Sequence, residues 1–111
     1  MYGFENQNQN MLDNSIHAIE ELQPDQVTLY EMRYNHNNLE YSRINRETLF
    51  EQYSYLFQKI KALGFNGNFG QNTFSLFDDF GVSSYIRSRM LDCIPYKGFG
   101  ISAQSMSWKG I

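Results

Sequence analysis

The sequence predicts an α/β fold in which helices connect short strands. Apolar side chains recur at helical spacing over residues 11–23 and again over residues 46–63. Residues 26–34, between them, are rich in the β-branched and aromatic residues typical of a strand. Helices that alternate with strands indicate parallel strands joined by crossovers. Two such units are too few for a closed barrel, so we expect one α/β unit over residues 1–111, a fragment of a partial (β/α) barrel with about two βα units and a final strand.

The first helix is predicted over residues 11–23, before Pro24, which ends it. Asn10 is the predicted N-cap. The apolar stripe consists of Leu12, Ile16, Ile19 and Leu22.

The second helix is predicted over residues 46–63, with Asn45 as its N-cap. Gly64 is expected to adopt the left-handed backbone conformation that ends the helix, and Phe65 to make the apolar contact that follows it. The apolar stripe of this helix is Leu49, Tyr53, Leu56, Ile60 and Leu63.

The remaining segments carry weaker signals. We expect a short strand at residues 67–72, although its glycine and asparagine content weakens the pattern. Ser83 or Ser84 is predicted to cap a helical turn over residues 85–91. Residues 98–106 are expected to form a strand or an extended loop.

Composition excludes several classes of protein. With 41% hydrophobic and 19% charged residues in 111, the chain has the composition of a single globular domain. A net charge of -3 gives no basic surface for nucleic acid. No apolar run approaches the roughly 20 residues of a membrane span, and the first residues lack the pattern of a signal peptide. We therefore expect a cytoplasmic protein with neither nucleic-acid nor membrane partners.

Cys93 is the only cysteine. This rules out an intrachain disulfide and a zinc site made of several cysteines. His17 and His36 lie in different predicted elements and do not suggest a metal pair. No metal ligands and no catalytic residues are predicted for the chain alone.

The segment "YKGFGISAQS" contains a G-x-G-x-x-A motif formed by Gly98, Gly100 and Ala103. In a dinucleotide-binding turn these glycines would lie between a strand and a helix whose N-terminus faces the pyrophosphate. Only eight residues follow Ala103, and they show no helical stripe. Close packing of the backbone at the glycines explains the motif at least as well.

The order of four segments along the chain gives a third explanation of the glycine motif. They are "MYGFENQNQN", "LQPDQVTLYEMRY", "IKALGFNGNFG" and "YKGFGISAQS". In this order the chain resembles the radical SAM oxygen-independent coproporphyrinogen III oxidase-like family, and the likeness covers the C-terminal part of that family's TIM-like barrel. The resemblance implies an oxidoreductase of porphyrin biosynthesis with a tetrapyrrole-type substrate.

The resemblance also implies S-adenosylmethionine and a [4Fe-4S] cluster in a parent protein. The family holds the cluster with a C-x3-C-x2-C motif, and this chain has none. We therefore expect the chain alone to bind no cofactor and to be inactive, its role in the parent being to shape the cofactor and substrate cavity.

The cofactor-binding residues implied by the resemblance are Met32, Arg33, Gly98, Gly100 and Gln104. The backbone at Met32 and Arg33 matches the family's contact with the adenosine portion, although Arg33 is equally explained as a solvated charge at the end of a strand.

Two further residues, Arg87 and Arg89, precede the glycine segment. They are implied to bind the propionates of the substrate through charge-assisted hydrogen bonds. The alternative is a helix with solvated arginines.

A non-enzymatic alternative remains open. The chain would then be a free-standing α/β interaction module, in one form a dimer completed by strand exchange. For the barrel fragment, exposed strand edges and uncovered helix faces predict self-association or partial disorder of the isolated chain.

Overall fold

The computed structural model describes residues 1–33, 44–77 and 84–109, which form a mixed fold of helices and short strands. The elements in chain order are α1 (Gln9–Leu22), β1 (Gln26–Thr28), α2 (Arg46–Ala62), β2 (Thr73–Ser75) and α3 (Ser84–Met90). The chain divides into two compact units, Met1–Gly81 and Val82–Ile111. The mixed α/β class predicted from the sequence is confirmed.

Helix α1 begins two residues earlier than predicted. Asn8, and not Asn10, is its N-cap, because the Asn8 side chain accepts a hydrogen bond from the N–H of Met11 at 3.1 Å. Of the predicted stripe, Leu12 is buried, whereas Leu22 at the end of the helix is exposed.

Helix α2 follows its prediction closely. The side chain of Asn45 accepts a hydrogen bond from the N–H of Thr48 at 2.8 Å, which caps the first turn. Leu56 and Ile60 are buried. Gly64 has a positive φ of 94°, and the next residue, Phe65, is buried in the core.

The sheet begins with a parallel bridge between Tyr2 and Glu31. The N–H of Tyr2 donates to the carbonyl of Tyr30 at 2.9 Å, and the carbonyl of Tyr2 accepts from the N–H of Met32 at 2.7 Å. Because α1 connects the two bridged segments, this part of the chain is a parallel strand-helix-strand crossover.

The second crossover predicted from the sequence, in which α2 would connect two parallel strands, is not observed among the described residues. β1 pairs with β2 in an antiparallel arrangement that sets Val27 opposite Phe74, and Ser75 pairs on its other side with Asn66. The segment through Asn66 therefore runs parallel to β1. The two are not neighbours, because β2, which is antiparallel to both, lies between them.

This arrangement corrects two expectations. The strand predicted at residues 67–72 is wrong, because the N–H of Gln71 donates to the carbonyl of Asn68 and Gly70 has a positive φ, so that the chain reverses there. The β1–β2 pair is likewise not a parallel pair of the kind that a barrel requires.

The core of the first unit lies between the helices and the sheet. Phe74 and Ile60 are completely buried at its centre. The other buried apolar side chains are Tyr2, Leu12, Leu29, Leu56 and Phe65.

In the second unit, α3 overlaps the helical turn predicted over residues 85–91, but it begins at Ser84 and ends at Met90. Ser84 is thus the first residue of the helix, and Ser83 lies outside the described residues. Residues 98–106 form a loop rather than a strand, and the chain turns within it where the N–H of Ala103 donates to the carbonyl of Gly100. The loop is closed by one antiparallel bridge between Tyr96 and Met106.

Candidate functional site

A groove of about 440 Å³ lies in the first unit and combines charged and aromatic side chains. Glu31 follows β1, and the first two turns of α2 add Arg46, Phe50 and Tyr53, whose spacing places them on one side of the helix. The complete lining is Tyr2, Glu31, Arg46, Leu49, Phe50 and Tyr53. This groove, named the Glu31 groove below, offers a carboxylate, a guanidinium and aromatic rings to a small ligand.

The hydroxyl of Tyr2 stays protonated in this groove. Burial raises the pKa of Tyr2 above its ordinary value, and the charge of Glu31 raises it further. The charge of Arg33 acts in the opposite direction. Tyr2 is therefore a hydrogen-bond donor near neutral pH.

Tyr53 forms a fixed wall of the groove. Its hydroxyl donates to the carbonyl of Gln71 and accepts from the N–H of Gly70 at 2.8 Å. Its ring meets the ring of Phe69 edge to face, with centroids 5.3 Å apart. Burial raises the pKa of Tyr53 as well.

Met32 and Arg33 directly follow Glu31 in the chain. Met32 is half-buried, and its N–H is used in the bridge to Tyr2. Arg33 is exposed. The two predicted cofactor-binding residues thus lie at the end of an extended segment, next to a groove residue.

The other predicted site residues belong to the second unit. Arg89 donates from Nη2 to Oε1 of Gln104 at 3.2 Å, and its guanidinium lies 4.9 Å from the ring centroid of Tyr96. Arg87 lies 3.8 Å from Asp92, Nε to Oδ2, at an exposed position. The structure therefore brings Arg89 and Gln104 together and gives Arg87 a different partner.

The glycines of the G-x-G-x-x-A motif serve two different purposes. A Cβ on Gly98 would lie 2.4 Å from the carbonyl oxygen of Gln104, so the close approach is made by the chain's own backbone. Gly100 has open space around it but a positive φ of 110°. In the described residues after Ala103 no helix begins, so the motif lacks the helix N-terminus that a pyrophosphate needs.

Sequence reasoning missed Arg46, Phe50 and Tyr96 as candidate residues. The helical spacing from Arg46 to Phe50 and Tyr53 was a usable signal. No sequence pattern, however, indicates that these side chains face Tyr2 and Glu31. The contact between Arg89 and Tyr96 likewise depends on how the loop folds back.

Other features of a site are absent from the described part of the chain. It holds no group of three or more His, Cys, Asp or Glu side chains arranged for a metal ion. None of its helices has the length and apolar character needed to cross a membrane. No protein-family model, curated protein or solved structure matches the chain.

Proposed function

We propose that the chain is part of a radical SAM oxidoreductase similar to the oxygen-independent coproporphyrinogen III oxidases. In that enzyme it shapes the cavity for S-adenosylmethionine and a tetrapyrrole-type substrate. The observation that carries the proposal is the parallel crossover from Tyr2 to Glu31, since barrel enzymes gather their sites at the carboxyl ends of such strands. A cytoplasmic location belongs to the same proposal.

The residues present do not fit a [4Fe-4S] cluster. Such a cluster is held by several thiolates, and this chain has Cys93 alone. The radical chemistry is therefore assigned to another part of the parent protein.

The first unit fits a role in holding S-adenosylmethionine. Met32 and Arg33 would hold the adenosine portion through their backbone. The adjoining groove adds the exposed ring of Phe50, which suits a planar base, and the guanidinium of Arg46, which suits a carboxylate.

In the second unit, Arg87 and Arg89 are not equally suited to binding the substrate. Arg87 is the better ligand for a propionate, because an exposed ion pair such as Arg87–Asp92 is worth only about 0–1 kcal/mol and is easily exchanged. Arg89 would have to give up Gln104 and the ring of Tyr96.

The proposal is tested by sequencing the coding DNA upstream of Met1 and expressing the longest in-frame protein. We expect an upstream C-x3-C-x2-C motif, and S-adenosylmethionine binding that Arg46→Ala weakens, because the guanidinium is lost from the groove, and that the exposed control Lys61→Ala does not weaken. An unchanged affinity in Arg46→Ala would remove the Glu31 groove from the proposed site.

The 111-residue chain provides a second test. After reconstitution with iron and sulfide under anaerobic conditions, it should bind no cluster and cleave no S-adenosylmethionine. Cleavage by this chain alone would contradict the assignment of the radical chemistry to another part of the parent protein.

One observation favours a free-standing interaction module instead. The antiparallel pairing of β1 with β2 departs from a parallel barrel and gives the first unit a small sheet of its own. A module predicts cooperative unfolding of a monodisperse protein, whereas a barrel part predicts a broad transition. Urea unfolding followed by circular dichroism, together with sedimentation velocity, separates the two.

A further inference from the structure

Strand β1 has two edges, and β2 occupies one of them. The N–H of Leu29 donates to the carbonyl of Asn72 at 2.7 Å, which fixes the register of the antiparallel pair. Neighbouring residues of a strand direct their backbone groups to opposite edges. Val27 and Leu29 therefore face β2, whereas Gln26 and Thr28 direct their N–H and carbonyl groups to the other edge.

That other edge is paired only at its far end. Tyr2 donates to the carbonyl of Tyr30 and accepts from the N–H of Met32. The carbonyls of Gln26 and Thr28, and the N–H groups of Thr28 and Tyr30, have no hydrogen-bond partner within residues 1–33, 44–77 and 84–109. This stretch of backbone, residues 26–30, is named the open edge of β1 below.

The open edge differs from the outer side of the first residues. There the N–H of Gly3 is already bonded to the buried side chain of Gln52, so α2 covers it. Along the open edge no side chain of the described residues takes up a backbone group, and Gln26, Val27 and Thr28 are all partly exposed. A further strand can therefore reach these groups.

The side chain of Gln26 gives an independent indication of a missing neighbour. Its Oε1 atom is buried and has no hydrogen-bond partner among the described residues. Buried polar atoms in folded proteins are nearly always hydrogen-bonded. The start of β1 therefore lacks a donor at the same place where its backbone lacks a strand.

The parallel bridge at Tyr2 defines the register of the absent segment. On the line of Tyr2, a residue two places earlier in the chain would donate to the carbonyl of Thr28 and accept from the N–H of Tyr30. A residue four places earlier would donate to the carbonyl of Gln26 and accept from the N–H of Thr28. About four residues in front of Met1 therefore fill the open edge.

We propose that the open edge of β1 binds the extended segment that directly precedes Met1 in the parent protein. This inference rests on the proposed function, because it requires a parent chain that continues upstream. The segment continues a pairing that Tyr2 has already begun, so it reaches β1 in register without an intervening loop. Residues two and four places before Tyr2 would share the face of Tyr2, which is buried, and we expect them to be apolar.

The first test adds Thr-Val-Thr-Val directly before Met1 of the 111-residue chain, which sets the valines two and four places before Tyr2. Amide hydrogen exchange of Thr28 and Tyr30 should become slower by about tenfold, because both N–H groups gain an acceptor. A Thr-Pro-Thr-Pro extension removes the two N–H groups that face β1 and should give no protection. In Pro-Val-Pro-Val the prolines face away from β1, so protection should remain.

The second test uses the longest in-frame protein. Its Thr28 and Tyr30 amides should exchange about tenfold more slowly than those of the 111-residue chain. Fast exchange in this protein or in the Thr-Val-Thr-Val variant would overturn the proposal, as would equal protection by the two proline extensions. Protection that appears in the unextended chain as its concentration rises would assign the edge to a second copy and overturn the proposed occupant.

The two proposals can fail separately. Slow exchange at Thr28 and Tyr30 in a longer protein that binds no S-adenosylmethionine would support the strand segment and contradict the enzyme. Fast exchange in a protein that carries the C-x3-C-x2-C motif and binds S-adenosylmethionine would support the enzyme and overturn the strand segment.

Discussion

The backbone N–H of Gly3 donates a hydrogen bond of 2.9 Å to the side chain of Gln52, a residue 49 positions later in the chain. Gln52 is only 8% exposed and lies on the side of α2 that faces the core. Since buried polar groups require partners, this bond accounts for a polar residue among the apolar positions of α2. It also ties the second helix to the first extended segment.

Replacing Gln52 by Leu should therefore destabilise the protein. The N–H of Gly3 would be left buried without an acceptor, which costs about 1–3 kcal/mol. Urea unfolding measures the loss. Gln58→Leu, an exposed change on the same helix, should stay within about 0.5 kcal/mol of wild type. Equal stability of the two variants would show that the Gly3 bond is not needed.

The N-cap of α1 can be assigned by a pair of alanine variants. Asn8→Ala removes the acceptor for the Met11 N–H and should lower the free energy of unfolding by about 1 kcal/mol. Asn10→Ala should have little effect, because Asn10 is already inside the helix. The reverse order in thermal or urea unfolding would restore the cap predicted from the sequence.

Alanine at Gly98 should open the loop of the second unit. The new Cβ would lie 2.4 Å from the Gln104 carbonyl, so the bridge between Tyr96 and Met106 must shift. Amide hydrogen exchange at Tyr96 and Met106 should become faster, whereas the neighbouring change Lys97→Ala should not alter it. Persisting protection in Gly98→Ala would mean that the loop accepts a side chain there.

Gly100→Ala tests a different requirement. The site has open space, so the expected cost is the strain of a positive φ, about 1–3 kcal/mol, without a steric clash. Exchange at Tyr96 and Met106 should accelerate less than in Gly98→Ala. An effect as large as that of Gly98→Ala would indicate an unrecognised contact at Gly100.

The stability of the protein should fall in alkaline solution. Burial and the charge of Glu31 raise the pKa of Tyr2 above its value in the unfolded chain, which is about 10. Protonated Tyr2 therefore contributes stability below that pH, and the contribution is lost as the pH rises through the folded pKa.

Glu31→Gln should lower the pKa of Tyr2 and weaken this pH dependence, because one cause of the shift is removed. Titration of the Tyr2 ring by nuclear magnetic resonance measures the pKa directly. The exposed change Glu21→Gln on α1 serves as the control and should leave the pKa unchanged. A Tyr2 pKa that does not respond to Glu31→Gln would place the carboxylate too far from the ring to act.

Local sequence signals were sufficient for α2. Asn45 before the helix and Gly64 after it act through hydrogen bonds and backbone angles within a few residues, so the sequence alone locates both ends. For α1, the sequence predicted Asn10 as the N-cap, which is wrong. The N–H of Met11 donates to the side chain of Asn8, two residues earlier.

The candidate site was predictable in part. The extended segment that carries Met32 and Arg33 follows from its own residue pattern. The groove beside it does not, because it requires α2 to bring Arg46 and Phe50 opposite Glu31. The link from Arg89 to Gln104 likewise joins residues 15 positions apart across a loop.

The sequence by itself determined the two long helices and the glycine, Gly64, that follows α2, because each depends on interactions between near neighbours. The tertiary structure decided the sheet. Residues 68–71 reverse the chain, and the returning strand then finds unpaired backbone groups on β1 and takes the place expected for a parallel neighbour. Strand pairing is a long-range competition for backbone hydrogen bonds, and the residue pattern of a three-residue strand contains too little information to predict its outcome.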